Sequence, residues 1–167
     1  FLARLEAAAF TESDPDALLD LALAGLPEQS VVKQAVRETR QWWAASGDWR
    51  AVRRQILEQH YDPDFTHVVM NLAFTVLAWL AGENDFSKTS CIATNCGQDT
   101  DCTAASVGSL MGILDPDGIP ARWLDPIGAA LVVDHRIKNI APPATLDGFT
   151  DLVVGLRDRL DYRGPAV

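Results

Sequence analysis

The sequence predicts an all-α fold, on three observations. Apolar residues recur at spacings of three and four, helix-starting and helix-stopping residues punctuate the chain, and no stretch alternates at period two long enough for a strand. There is no internal repeat and no low-complexity segment. At 167 residues the chain is long enough for one domain with a sizeable core and too short to expect two, so residues 1–167 are read as a single all-α domain.

The elements follow in order. Phe1-Leu2-Ala3-Arg4-Leu5-Glu6 reads as the end of a helix already under way. Ser13-Asp14-Pro15-Asp16 is an N-cap with proline in the first turn, leading an amphipathic run to Ala24 that Gly25 stops. Pro27 opens the next helix, whose Val31, Val32, Ala35, Val36, Thr39, Trp42 and Trp43 share a face until Ser46-Gly47. Asp48 caps a helix from Trp49 to about His60, and Tyr61-Asp62-Pro63-Asp64 makes a turn. Residues 66–81 are apolar nearly all round, the mark of a buried core helix. Asp85 caps a helix over Phe86–Thr94, and Asp99 caps one running to about Leu114. In that last helix Gly108 and Gly112, four apart, predict a close helix–helix approach. Asp115-Pro116-Asp117-Gly118 is a turn, and a short helix starts near Ile119-Pro120. Two further helices are expected near 129–140 and 147–161, divided by Pro142-Pro143.

Composition narrows the function classes. A formal charge of −9 with no basic stripe argues against nucleic-acid partners, and Arg50, Arg53 and Arg54 read as a solvated helix face. No apolar run reaches about 18 residues, which argues against a membrane span. Mean hydropathy of +0.02 fits a soluble chain. Cys91, Cys96 and Cys102 are odd in number and lack CxxC spacing, so they read as free thiols of a cytoplasmic protein rather than as a disulfide or zinc framework.

The chemistry concentrates in Asn95-Cys96-Gly97-Gln98-Asp99-Thr100-Asp101-Cys102. Two carboxylates two residues apart repel unless a cation, a proton or several N–H donors stand between them. One reading is helix capping by Asp99 with Asp101 in the first turn. The other is a hard divalent cation held by both carboxylates, with a hydroxyl of Thr100 or Thr103 as an added oxygen donor. An EF-hand is excluded, because no glycine stands at the sixth loop position counted from Asp99 and Leu110 stands at the twelfth.

Asn95-x-Gly97-x-Asp99-Thr100-Asp101, followed by a small-residue helix and Gly118-Ile119-Pro120-x-x-Trp123, resembles the C-terminal half of the ADP-ribosylglycohydrolase family. Leu26-Pro27-x-x-Ser30, Gly47-Asp48-Trp49, His67-x-x-x-Asn71 and Gly82-Glu83-x-Asp85-Phe86 agree with it in order, so the likeness covers roughly residues 7–130.

The resemblance implies a multi-helix orthogonal bundle without its N-terminal helices, and a centre of two Mg2+ ions (Mn2+ an alternative) at the base of a cleft. It implies hydrolysis of ADP-ribose from modified proteins or related glycosidic conjugates. Asp99 and Asp101 match the family's metal-binding aspartates, and Cys102 stands where a metal-binding Thr or Ser is usual. Asn95, Gly97 and Asn71 fall on the substrate side of the motif. The family's Gly-rich first helix, its acidic residue near the scissile bond and its Thr-Asp-Asp cluster have no counterpart here, so an N-terminal half on another chain is the expected partner. A non-catalytic helical binding or structural module is the competing expectation.

Overall fold

The computed structural model describes residues 1–159, apart from the side chains of residues 157 and 158. Among the described residues there is no strand, only an isolated antiparallel bridge between Ala130 and Thr145. The all-α expectation holds. The chain divides into two compact units, Phe1–Pro120 and Ala121–Val167.

The first unit carries α1 (Leu2–Ala9), α2 (Pro15–Ala24), α3 (Val31–Ser46), α4 (Trp49–His60), α5 (Val68–Gly82), α6 (Phe86–Cys96) and α7 (Thr100–Leu114). The sequence explains most of the boundaries. Asp14 accepts the Ala17 amide at 2.8 Å, Asp48 the Arg50 amide at 2.9 Å and Asp85 the Lys88 amide at 2.6 Å, so each covers an amide that its helix leaves unpaired. Gly47 ends α3 in the left-handed region at φ 60°, where a Cβ is costly. The start of α3 differs from expectation. Pro27 heads a turn closed by the Ser30 amide on the Pro27 carbonyl, and Ser30 caps the helix at the Lys33 amide.

α5 is the axis of this unit. All of it but Val68 and Leu80 is buried, and α3, α4, α6 and α7 pack around it. Phe74, Leu77, Met70 and Val76 fill the centre with Leu18, Leu19, Val36, Ile56 and Val107 from its neighbours. Each such side chain contributes about 1.5–3 kcal/mol by leaving water. No helix of the described residues is long and apolar enough to cross a membrane.

α1 lies against α2 and α7. Arg40 on α3 pairs with Asp16 at 2.8 Å and Asp20 at 2.6 Å, holding α2 to α3 at the surface. Lys33 is buried; its ammonium is satisfied by the Glu28 carboxylate and, at 3.1 Å, by the Leu26 carbonyl.

The close helix approach occurs at a different glycine from the pair the sequence pointed to. A Cβ on Gly108 would meet nothing within 4 Å, and one on Gly112 only the Ile119 side chain at 3.7 Å. α7 buries Thr103, Val107, Leu110 and Met111 instead, and the two glycines sit beside that stripe. At Gly82, by contrast, a Cβ would collide with the Thr89 side chain and stand 2.9 Å from its Cα. Glycine there lets α5 and α6 meet backbone to backbone.

The second unit holds α8 (Ala121–Leu124) and α9 (Leu146–Arg159). The helix expected at 129–140 is absent. Asp134 takes the Arg136 amide and guanidinium at 2.8 Å, a local bond that competes with helix formation, and Asn139 is left-handed at φ 63°. Ile127, Val132, Ile137 and Ile140 are exposed, so no buried face rewards a helix there. The helix expected to reach residue 161 ends its described part at Arg159; residues 160 and 161 lie outside the described residues.

Gly82→Ala should lower stability by about 1–3 kcal/mol, because the Thr89 backbone has to give way. Gly108→Ala should be neutral or slightly stabilising, since alanine is the better helix former. Urea denaturation of the two variants beside the parent chain measures both.

Candidate metal centre

The acidic loop is built by a backbone that only part of its sequence tolerates freely. α6 ends at Cys96, whose carbonyl accepts the Arg53 Nε at 2.7 Å across 43 positions of sequence. Gly97 follows at φ 82°, ψ −165°, a conformation essentially confined to glycine. Gln98 is left-handed at φ 65°. These two residues turn the chain sharply, so that Asp99 stands at the head of α7. The Thr103 amide donates to the Asp99 carbonyl at 3.0 Å.

Asn71 locks this loop to α5. Its amide nitrogen donates to the Phe65 carbonyl at 2.8 Å and the His67 carbonyl at 3.0 Å, and its Oδ1 accepts the Asp99 amide at 3.3 Å. One buried side chain thus joins the loop before α5 to the loop before α7. Both amide hydrogens are used, so its role in the structure is to position Asp99.

Asp99 occupies the N-cap position of α7, but its side chain accepts no helix amide. The capping reading therefore does not account for it. Asp99 holds the Cys102 thiol above its ordinary value, first as a hydrogen-bond acceptor and then through its negative charge, to which Asp101 adds. Ligand atoms of Asp99, Asp101 and Cys102 lie within 4.8 Å of one another, the only such trio among the described residues. Asp99 is half-buried; Asp101 and Cys102 are exposed.

Two oxygens with one thiol suit a divalent cation, and both carboxylates fit the hard ligand set that Mg2+ prefers. The thiol does not fit that preference. Of the nearby hydroxyls, that of Thr103, 1% exposed, donates to the Thr100 carbonyl at 3.2 Å, and that of Ser106 donates to the Cys102 carbonyl at 2.9 Å.

Beside the trio lies a groove of about 150 Å³. Leu2, Val68 and Leu72 give it an apolar wall, and Asn71, Asp99 and Cys102 are among the polar residues that line the rest. Asp101 and Asn95 are not part of that lining. Asn95 is exposed and donates to the Cys91 carbonyl at 2.7 Å, and Gly97 contributes its backbone turn.

The chain matches the ADP-ribosylglycohydrolase family over residues 1–153. The chain belongs to the ADP-ribosylglycohydrolase family. Neither the curated proteins nor the solved structures gave a match. Membership places the Gly97–Cys102 loop in a family of glycosidic hydrolases and agrees with the helical architecture.

One contributor, Arg53, is not legible in the sequence. Arg53 is half-buried and holds the end of α6, where a solvated face was expected; a pairing 43 positions away leaves no local trace. Asn71, expected on the substrate side, lines the groove and also ties the loop through three backbone partners.

Burial pushes the Cys96 thiol up to about 12, against a smaller downward pull from Arg53. In the folded chain a thiol-specific reagent near pH 8 should modify Cys91 and Cys102, and reach Cys96 only on unfolding. Asp99→Asn should speed the reaction of Cys102, because losing the carboxylate lowers its pKa and raises the thiolate fraction. Mass-resolved labelling rates test this. Gly97→Ala should cost about 1–3 kcal/mol through backbone strain alone, measured by denaturation.

Proposed function

We propose that this chain forms the Asp99–Asp101 wall of a magnesium-dependent hydrolase centre, with manganese as an alternative cation. The substrate class is ADP-ribose joined to a protein side chain, or a related glycosidic conjugate. The observation that carries this reading is the Asp99 carboxylate: it heads a helix without capping it and lines a groove. A carboxylate left out of the helix's own hydrogen bonding, with a second one beside it, is what a cation needs.

Bound there, the cation would supply Lewis-acid polarisation and water activation. The chain's own residues do the positioning. Asn71 and Arg53 fix the loop's two ends, and Gly97 sets the direction in which Asp99 and Asp101 project. Leu2, Val68 and Leu72 keep one side of the groove apolar. At about 150 Å³ the groove suits one sugar ring better than a whole ADP-ribose, since sites for drug-sized ligands begin near about 300 Å³.

Two carboxylates do not complete two hard-cation shells of about six oxygens each. The remaining donors, and the acid or base for glycosidic cleavage, come in this reading from a further segment or a partner chain. Three free thiols accord with a cytoplasmic setting. The thiol at Cys102 favours the rival reading, a helical module that binds without catalysis.

Calorimetric titration with magnesium separates the two. Binding heat in the parent chain that disappears in Asp101→Asn supports the metal centre; identical heats in both leave only the non-catalytic module. Adding a separately made N-terminal half of a family member, with magnesium, should then release ADP-ribose from a modified protein, where the 167-residue chain alone does so weakly or not at all.

A further inference from the structure

The side chain that departs most from a hard-cation site is Cys102, and its surroundings give it a specific part. It is exposed, one residue after Asp101 and three after Asp99, at the first turn of α7. Its sulfur belongs to the one trio of described residues whose ligand atoms gather within 4.8 Å. Two donors about 2.1 and 2.3 Å from one ion are at most about 4.4 Å apart, so small side-chain rotations close this set on a single cation. The hydroxyls of Thr103 and Ser106 donate to backbone carbonyls at 3.2 and 2.9 Å, whereas the Cys102 sulfur stands with the two carboxylates. Sulfur is the donor that the structure gathers with the two carboxylates at this point of the loop.

We propose that Cys102 is a ligand together with Asp99 and Asp101, and that it turns this position from magnesium toward a sulfur-tolerant divalent cation of the zinc and cobalt class. The inference rests on the hydrolase-centre reading and refines which cation touches this part of it; a second, all-oxygen position stays suited to magnesium. Sulfur bonds these cations at about 2.3 Å and with far greater preference than it bonds Mg2+. On binding, the Cys102 S–H bond breaks, a sulfur–metal bond forms and the proton passes to solvent; nothing is oxidised or reduced. Asp99, whose carboxylate lies within the same trio, becomes an oxygen ligand of that ion.

Cobalt(II) titration of the full chain tests this directly, because a thiolate–cobalt bond absorbs in the near ultraviolet and carboxylates do not. The expected result is a saturable band that zinc abolishes by displacement and a tenfold excess of magnesium does not. Cys102→Ser should remove the band and weaken zinc binding at least tenfold, with an unchanged thermal melt. Cys91→Ser should keep both. A cobalt spectrum without the band, or zinc affinity unchanged in Cys102→Ser, would overturn the inference. If magnesium binding is still lost in Asp101→Asn, the hydrolase-centre reading survives that failure. If neither cobalt nor magnesium distinguishes Asp101→Asn from the parent chain, both readings fall.

Discussion

Everything at the acidic loop depends on the side-chain amide of Asn71. It lies in the first turn of a helix that is buried nearly all round, so it must satisfy both its donors and its acceptor inside the protein. It does so by holding the Phe65 and His67 carbonyls and the Asp99 amide. A polar group that the core cannot leave unpaired thereby ties two loops far apart in sequence. Because Asn71 takes the Asp99 amide, the loop is anchored through its backbone, and the Asp99 carboxylate remains available.

That division of labour distinguishes the loop from the other helix starts in this chain. At Asp14, Asp48 and Asp85 the carboxylate caps its own helix. At Asp99 the same residue type occupies the same position and caps nothing. The difference lies in Gly97 and Gln98, whose positive φ angles turn the chain so that the carboxylate faces Cys102 and the groove. Two carboxylates two residues apart repel each other, and Asp99 above all disfavours a thiolate at Cys102. A rigid platform is needed to hold such a cluster, and α5 with the Arg53–Cys96 bond supplies it. The same cluster is what a cation would relieve.

Legibility from sequence tracked the range of the interaction. Caps and stops that act over three or four residues, such as Asp14, Gly47, Asp48 and Asp85, were readable because cause and effect are neighbours. The expected helix at 129–140 failed because helix-compatible residues there have no buried face to fold onto. The glycine reading failed similarly: a four-residue spacing marks a shared face, but which face meets a neighbour is decided by packing. Gly82 carries the tight crossing, and nothing in its local sequence marks it for that.

The sequence by itself determined the all-α class, most helix boundaries, the buried character of α5 and the loop that holds Asp99, Asp101 and Cys102. These rest on short-range capping, on hydrophobic periodicity and on motif resemblance, all contained within a few consecutive residues. Only the tertiary structure decided that Asp99 is not a cap, that Asn71 and Arg53 are the loop's supports, and that the thiol of Cys102 gathers with the two carboxylates. Those outcomes follow from which buried polar groups find partners across the fold, and such pairings leave no local pattern to read.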